Sequence, residues 1–545
     1  MKHLEISLIS ILLFLLFGCN KPQEVLPVNN QSTIITGLSQ TSGVPGVIFQ
    51  IQGMHFDVTP SFNEVRLGQN VLNVISATEN LLTVQLPSNS NIYGTFHVSV
   101  KIKGTTALSP IDFTIINLVP TASPNVTGYT DRTSYWPGEI IRVYLSLDVA
   151  NANYTLGIYD INQNLIFPAT VSIIHQVPTS GSPWSNGFGF NLTAEVTIPS
   201  TLNSGLYLIE KRIPFIVKPS QPVDIIVVYP SNTENAYCES GGKSLYSSSS
   251  RPSQVAFDRP MAFPNSNPTL NFSEYGFRWL KTQSDLSIGY VSDYDLEDYT
   301  NIADANLLIL IGHSEYWSKN ARKNFDRFIE GGKDALILSG NTMWWQVRYS
   351  SDGSKLICYK DANDPIQDPL LKTITWSNAS LGYSTISSIG ADFDHGGYGL
   401  QADHGWNGYK ITSPNSPLLQ GTGLKKGDIL KLPTVEYDGA VINGLDAEGF
   451  PILNTHQNNF YRMELIGFDK GYRNNETIGT FIVVQPLPSS GIIVNTGTTD
   501  WCSGNGMGGQ DQVKIKTITR NAILKLLNNE NVFSSNIGAR GFTDN

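Results

Sequence analysis

Between Ala305 and Arg348 the chain spells out one folding unit in full. Five consecutive aliphatic residues, Leu307-Leu308-Ile309-Leu310-Ile311, have no polar face and are too few for a buried helix. Such a run reads as a central strand of a parallel sheet, covered on both sides. Gly312 ends it, and Ser318 stands where it can cap a helix from about Lys319 to Glu330. Gly331 and Gly332 supply a left-handed stop before a second buried strand, Ala335 to Leu338. The result is a βαβ unit, and open α/β sheets take their ligands at the carboxyl ends of such strands. The residues at that place are Gly312-His313-Ser314-Glu315-Tyr316-Trp317-Ser318.

The chain of 545 residues is too long for one core, so several domains are expected. Its 48 Gly, 29 Pro and 15% charged residues fit loop-rich β structure. A net charge of −10 with no Lys/Arg-rich block excludes a nucleic-acid partner. At the start, the apolar run Ile6 to Phe17 is short for a membrane span and ends Leu16-Phe17-Gly18-Cys19. Residues 1–19 resemble a bacterial lipoprotein signal in which Cys19 is acylated. That predicts a protein of the cell envelope, lipid-anchored to a membrane, at the outer membrane or cell surface. Cys238, Cys358 and Cys502 are then an odd set in an exported protein, and at least one free thiol is expected.

Residues 20–32 read as a linker. From 33 to 117 short alternating runs recur between turn residues, among them Val47 to Ile51, Glu64 to Leu67, Leu81 to Leu86 and Phe96 to Val100, as in a β-sandwich. The phrases Gly46…Ile51-x-Gly53-x-x-Phe56, Asn63-x-Val65-x-Leu67-Gly68 and Leu82-x-Val84-x-Leu86-Pro87 resemble an IPT/TIG immunoglobulin-like domain. A second β-sandwich is expected over 118–220, from the turn Pro137-Gly138-Glu139 and the runs Ile141 to Leu145, Leu206 to Leu208 and Pro214 to Val217. At Val223 the pattern changes to strands alternating with helical stretches, predicting an α/β domain over 221–530 and a frayed tail over 531–545.

Three loops of the α/β domain follow buried strands: Tyr237 to Tyr246 after Val228, the His313 loop, and Thr496 to Cys502 after Asn495. With their strands parallel they share one edge of the sheet. Gly242-Lys243-Ser244 is not the end of a P-loop, because the position of the motif's first glycine is Tyr237. Neither a Gly-x-Ser-x-Gly elbow nor His-Glu-x-x-His occurs. His313 and Glu315 lie two positions apart, so on extended backbone both side chains point the same way. Their N and O donors suit iron or zinc better than calcium, though such a pair taken bare is more often a local hydrogen bond than a metal site. A third ligand would come from another loop, and the phenol of Tyr237 is a good hard donor to ferric iron. Asp394-His395 with Asp403-His404 offers a second metal site or a carbohydrate patch against an ordinary loop. Arg259 and Arg348 read as clamps for a substrate carboxylate or as internal ion pairs, and Trp317, Trp344 and Trp345 as core or as a sugar platform.

The ordered motifs Asn232-Thr233, Ala236-Tyr237, Gly241-Gly242-Lys243-Ser244-Leu245-Tyr246, Phe257-Asp258-Arg259-Pro260, Gly312 to Ser318, Gly340-Asn341, Trp345 to Arg348, Gly421 to Leu424, Glu436 to Gly439 and Asp500-Trp501 resemble the large (β) subunit of N,N-dimethylformamidase. The resemblance implies an α/β fold like that of class I glutamine amidotransferases without their Cys nucleophile. It also implies a mononuclear non-haem iron, or another divalent metal, held by Tyr, His and Glu; those ligands carry over to Tyr237, His313 and Glu315. Asn341 and Glu436 match polar positions of the same pocket. The implied reaction is Lewis-acid hydrolysis of a small amide, with Glu436 moving the proton and Asn341 holding the oxyanion. Cys238-Glu239-Ser240 replaces an Asn and a Trp of many relatives, so the formamide substrate need not carry over. The alternative expectation is a non-catalytic lipoprotein that binds a surface glycan or peptide with the same fold.

Overall fold

A computed structural model of the protein describes residues 32–538, apart from 44–45, 88–93, 116–124, 149–151, 249, 266–269, 362, 400–404, 459 and 536. Cys19, Asp403 and His404 lie outside the described residues. The chain divides into two compact units, Met1–Ser123 and Pro124–Asn545.

The first unit is a pair of sheets. One has the order Ile34–Leu38, Ile48–Met54, Leu81–Gln85, Asn73–Ala77. The other has Ser42–Gly43, Thr105–Ile115, Gly94–Ile102, Glu64–Leu67, Asn70–Val71. Exposure alternates strictly along Ile48–Met54, which turns Phe49 and Ile51 inward against Val65, Leu82, Val84, Val98 and Val100. The core of this unit is built from residues 35–115 alone.

The second unit opens with another sandwich. A three-stranded sheet, Val126–Thr130, Ile140–Leu147 and Ala194–Thr197, faces a five-stranded one of order Ser134–Tyr135, Ile213–Val217, Gly205–Ile209, Ala152–Asp160, Leu165–Ile173. The strands Gly205–Ile209 and Ile213–Val217 are buried at every residue. Tyr207, Ile209, Phe215 and Val217 fill the sandwich, whereas Leu206, Leu208 and Ile216 point the other way into the core of the following domain, beside Ile225, Phe263 and Tyr290.

That domain is built on an eleven-stranded sheet. Its first half is parallel, in the order Ile288–Ser292, Ile225–Tyr229, Leu307–His313, Asp334–Gly340, Ile493–Asn495. Its second half is antiparallel through Asn475–Gln485 and Arg462–Arg473 to Gly397–Tyr398 and Glu436–Gly439. Leu307–His313 is buried throughout: Leu307, Ile309 and Ile311 join one core and Leu308 and Leu310 the other, which is why its sequence has no polar face. The helix Lys319–Glu330 follows as expected, with Ser318 Oγ accepting from Ala321 N at 3.0 Å. Gly332 takes the left-handed form (φ +83°) and Gly331 does not (φ −72°).

The expected alternation of strand and helix stops after Gly340. Between there and the closing helix Gln512–Leu527, no described helix exceeds the five residues of Thr385–Ile389, and the chain is largely β. Period-two runs such as Phe481-Ile482-Val483-Val484 are equally apolar on both faces and pair as long hairpins once a neighbouring strand is antiparallel. The expected fraying also fails over 530–535: Val532 and Phe533 are buried, and Ser534 N donates to Glu464 Oε2 at 2.8 Å. Cys238, Cys358 and Cys502 are all free thiols. Among the described residues no helix is long and apolar enough to cross a membrane.

Candidate functional site

The strand Leu307–His313 ends with a lift at Gly312, whose φ of +75° and packing, with a built Cβ only 2.7 Å from Ser273 Cβ, leave no room for a side chain. The lift carries His313, Ser314 and Glu315 over the edge of the parallel half, all three buried. Two backbone contacts fix the loop: Ser314 N donates to Ser339 Oγ at 3.1 Å and Glu315 N to Thr233 Oγ1 at 2.9 Å. His313 Nε2 lies 3.5 Å from Glu315 Oε2 and 3.3 Å from Glu436 Oε2. Neither contact closes a well-angled hydrogen bond, so this buried nitrogen is held between two carboxylates at ion-pair distance.

Tyr237 ends the helix Ser231–Tyr237, where the sequence alone predicted a loop. The helix is anchored at its start by Asp293, whose carboxylate accepts from Ser231 Oγ at 2.5 Å and Asn232 N at 3.0 Å. The chain after it is held by the buried Arg259, which donates to Asn235 Oδ1, Cys238 O and Lys243 O. Arg259 is thus a structural clamp for these turns, and Arg348 pairs with Asp364 at 2.6 Å. Leu245 N donates back to Ala236 O at 3.0 Å, so Tyr246 folds over Tyr237 and their rings stack at 4.0 Å. Tyr246 Oη donates to Glu315 Oε1 at 2.6 Å and lies 2.8 Å from Oε2; Tyr316 Oη donates to Tyr246 Oη at 2.8 Å. Tyr246 is 42% exposed, while its hydroxyl sits among these groups.

Glu436 arrives from the antiparallel half of the sheet and Asn341 from the turn after Asp334–Gly340, with a left-handed φ of 49°. Asn341 Nδ2 donates to Glu436 Oε2 at 3.1 Å, and Asn341 Oδ1 is buried without a partner. The five residues singled out in the sequence, Tyr237, His313, Glu315, Asn341 and Glu436, therefore meet in one cluster. Two further members could not be picked out from the sequence. Tyr246 belongs to the motif Gly241 to Tyr246, but only the turn back onto Ala236 reveals that its hydroxyl reaches Glu315. Lys360 has no sequence signal; its Nζ stands 3.6 Å from the ring centre of Tyr246, 4.9 Å from Trp345 and 5.2 Å from Tyr316.

Burial dominates the electrostatics. It lifts the Glu315 carboxyl above its ordinary range, against the pull of His313 and Lys360. It would lower His313, but the Glu436 and Glu315 carboxylates outweigh it and hold the imidazole above its usual value. Burial and then Glu315 push the Tyr237 phenol well up. The Lys360 ammonium is lowered by burial, with Glu315 opposing. An imidazole nitrogen, two carboxylates, two phenol oxygens and an amide oxygen thus converge, and while no cation is bound the raised His313, Glu315 and Tyr237 keep their protons among them. A cation that displaced those shared protons would find N and O donors already gathered in a buried place. Among the described residues no three His, Cys, Asp or Glu side chains come together as a cation site by themselves. The phenols would therefore have to take part.

Other sequence candidates stand apart. Asp394 pairs with Arg473 at 2.9 Å and His395 Nδ1 with Asp392 at 2.7 Å. Trp317 is buried with its Nε1 donating to Ser314 O at 2.9 Å, and Trp344 is buried beside Phe393. A cavity of about 600 Å³ touches the cluster at Tyr237 and Tyr246, with Glu234 on the same wall. A second, of about 380 Å³, lies towards Asp131, Asp258 and Asp352 and includes none of the cluster.

The family model described as N,N-dimethylformamidase beta subunit-like, C-terminal, matches residues 174–511, and that of the IPT/TIG domain matches 33–115. No curated protein matches the chain. Solved structures overlap it locally. The extracellular region of plexin A4 is 9% identical over 34% of this chain and 18% of its own, with a TM-score of 0.18. An auxiliary nutrient binding protein from Bacteroides thetaiotaomicron is 12% identical over 33% and 54%, with 0.15. The SGBP-B of a Bacteroides ovatus mixed-linkage glucan utilization locus, in complex with a heptasaccharide, is 12% identical over 33% and 40%, with 0.14. The chain thus spans about half or less of these proteins, and at such scores none bears on its activity.

Proposed function

The chain belongs to the N,N-dimethylformamidase beta subunit-like C-terminal family, with an IPT/TIG domain ahead of it, and from that premise we propose that it is an iron-dependent hydrolase of C–N amide bonds. The observation that carries the reading is the buried cluster of N and O donors, above all His313 Nε2 set at 3.3 and 3.5 Å from two carboxylates without a well-angled hydrogen bond to either. Tyr237, His313 and Glu315 would hold the metal, joined by Tyr246, whose contact with Glu315 is where a shared cation would replace a shared proton. Bound there, iron supplies Lewis acidity towards a water and towards the amide carbonyl.

The chain's own residues do the rest. Glu436 is the free-edged carboxylate of the cluster and takes the proton of the attacking water, then returns it to the departing amine. Asn341 uses one Nδ2 hydrogen to hold Glu436 and has a second for the oxygen that becomes negative. Lys360, over the Tyr246 ring, favours the anionic form of Glu315. Lipid anchoring through Cys19, a place in the cell envelope, and a likeness of the parallel half of the sheet to class I glutamine amidotransferases belong to the same proposal. For the rival, a glycan-binding lipoprotein, Trp317 and Trp344 present no platform, being 1% and 5% exposed, and Trp345 is part-buried beside Lys360.

Metal analysis of the purified full chain, with hydrolysis assayed on a panel of small amides, tests this. One iron per chain, a visible tyrosinate absorption lost in Tyr237→Phe or Tyr246→Phe, and turnover lost in Glu315→Ala are expected. A folded protein that takes up no metal on reconstitution with ferrous or ferric iron would overturn it.

A further inference from the structure

The cavity beside the cluster is closed on one side by the second sandwich. The hairpin between Gly205–Ile209 and Ile213–Val217 turns through Glu210 and Lys211, both left-handed (φ 51° and 58°), and Arg212 N donates to Ile209 O at 3.0 Å. This tight turn fixes the backbone at Arg212, whose carbonyl accepts from Phe263 N at 2.8 Å and so ties the turn to the catalytic domain. Arg212, Thr127 and Gly128 line the cavity from the sandwich, while Tyr237, Tyr246 and Glu234 line it from the cluster.

Arg212 differs from Arg259 and Arg348 in what its guanidinium meets. Arg259 is saturated by carbonyl and amide oxygens and Arg348 by Asp364. Arg212 Nη1 donates to a neutral acceptor, Asn125 Oδ1, at 2.9 Å, and among the described residues it makes no ion pair. The acids on the wall are otherwise committed: Glu234 is hydrogen-bonded by Asn265, and Glu239 is exposed to solvent. A partly exposed arginine lacking a carboxylate, on the wall of a cavity that meets the cluster at Tyr237 and Tyr246, has a planar fork of donors suited to a carboxylate from the substrate. The volume of about 600 Å³ lies within the range that holds a drug-sized ligand, far beyond what a formamide fills.

We infer that the cavity takes an amide bearing a carboxylate on its amine side, an N-acyl amino acid in chemical class, with Arg212 of the second sandwich pairing with that carboxylate. This rests on the hydrolase reading above and names its substrate class.

The test uses the iron-loaded full chain with N-hexanoylglycine and N-hexanoylglycinamide, which differ only in the terminal charge. Equilibrium binding and kcat/KM are measured for each in the wild type, Arg212→Gln and Arg212→Lys. The wild type is expected to favour the carboxylate by about tenfold or more, the worth of a charge-assisted hydrogen bond. Arg212→Gln should remove the preference chiefly through KM, and Arg212→Lys should keep part of it. Equal affinity for the two compounds in the wild type, binding of neither, or a preference that survives in Arg212→Gln overturns the inference. Hydrolysis of both without preference sinks the substrate class and leaves the hydrolase. A binding preference dependent on Arg212 with no turnover upholds the carboxylate site and sinks the hydrolase.

Discussion

The two sandwiches are written in the same grammar of short alternating strands and turns, yet they stand in different relations to the rest of the chain. In the first, the residues that turn away from its core are largely exposed, Ile48 at 52% and Met54 at 50% among them. In the second, the residues turned away from the sandwich core along Gly205–Ile209 and Ile213–Val217 are as buried as those turned inward. A strand that is apolar on both faces in a sandwich is committed to a second layer. The first sandwich is a self-contained module, and the second shares its core with the domain that carries the cluster.

The strongest way to break this contrast is truncation. A chain beginning at Pro222 strips the partners from Ile225, Phe263 and Tyr290, and is expected to yield no cooperative unfolding transition and no near-ultraviolet circular dichroism; a well-folded product would show that the second sandwich is dispensable. A finer comparison sets Leu208→Ala against Leu82→Ala, one fully buried leucine in each. Each should cost roughly 2–5 kcal/mol in denaturant unfolding. Only Leu208→Ala should lower the transition that carries the activity, since Leu82 belongs to the core of residues 35–115. The smallest effect sharpens the other side: a chain beginning at Asn125 should keep the midpoint of the catalytic transition and its metal content, and a drop in either would show that the first sandwich supports the second unit.

Local pattern was enough wherever burial was total or capping was local. The helix Lys319–Glu330, its Ser318 cap and the strand before it were legible because each depends on neighbours within a few residues. The antiparallel half of the large sheet was not. Runs such as Asn475–Gln485 have the same apolar character in a parallel or an antiparallel sheet, and the choice is made by the partner across the ladder. The cluster divides likewise. His313 and Glu315 are two apart and mark themselves, Tyr237 stood out as the phenol on a neighbouring loop, and Asn341 and Glu436 entered through a family resemblance. Tyr246 and Lys360 entered only through space, because a ring at 4.0 Å and an ammonium at 3.6 Å leave no trace in spacing.

By itself, then, the sequence determined that a buried parallel strand would run up to Gly312, one residue short of its observed end at His313, and leave Glu315 just beyond it at the edge of the sheet, since an unbroken aliphatic run has no other stable place. The tertiary structure decided what surrounds them. It brought Glu436 from the far half of the sheet, folded Tyr246 onto Tyr237, and set Arg212 of a β-sandwich on the wall of the same cavity. Those are long-range encounters, fixed by which strands pair and which faces are buried, and no local periodicity encodes them.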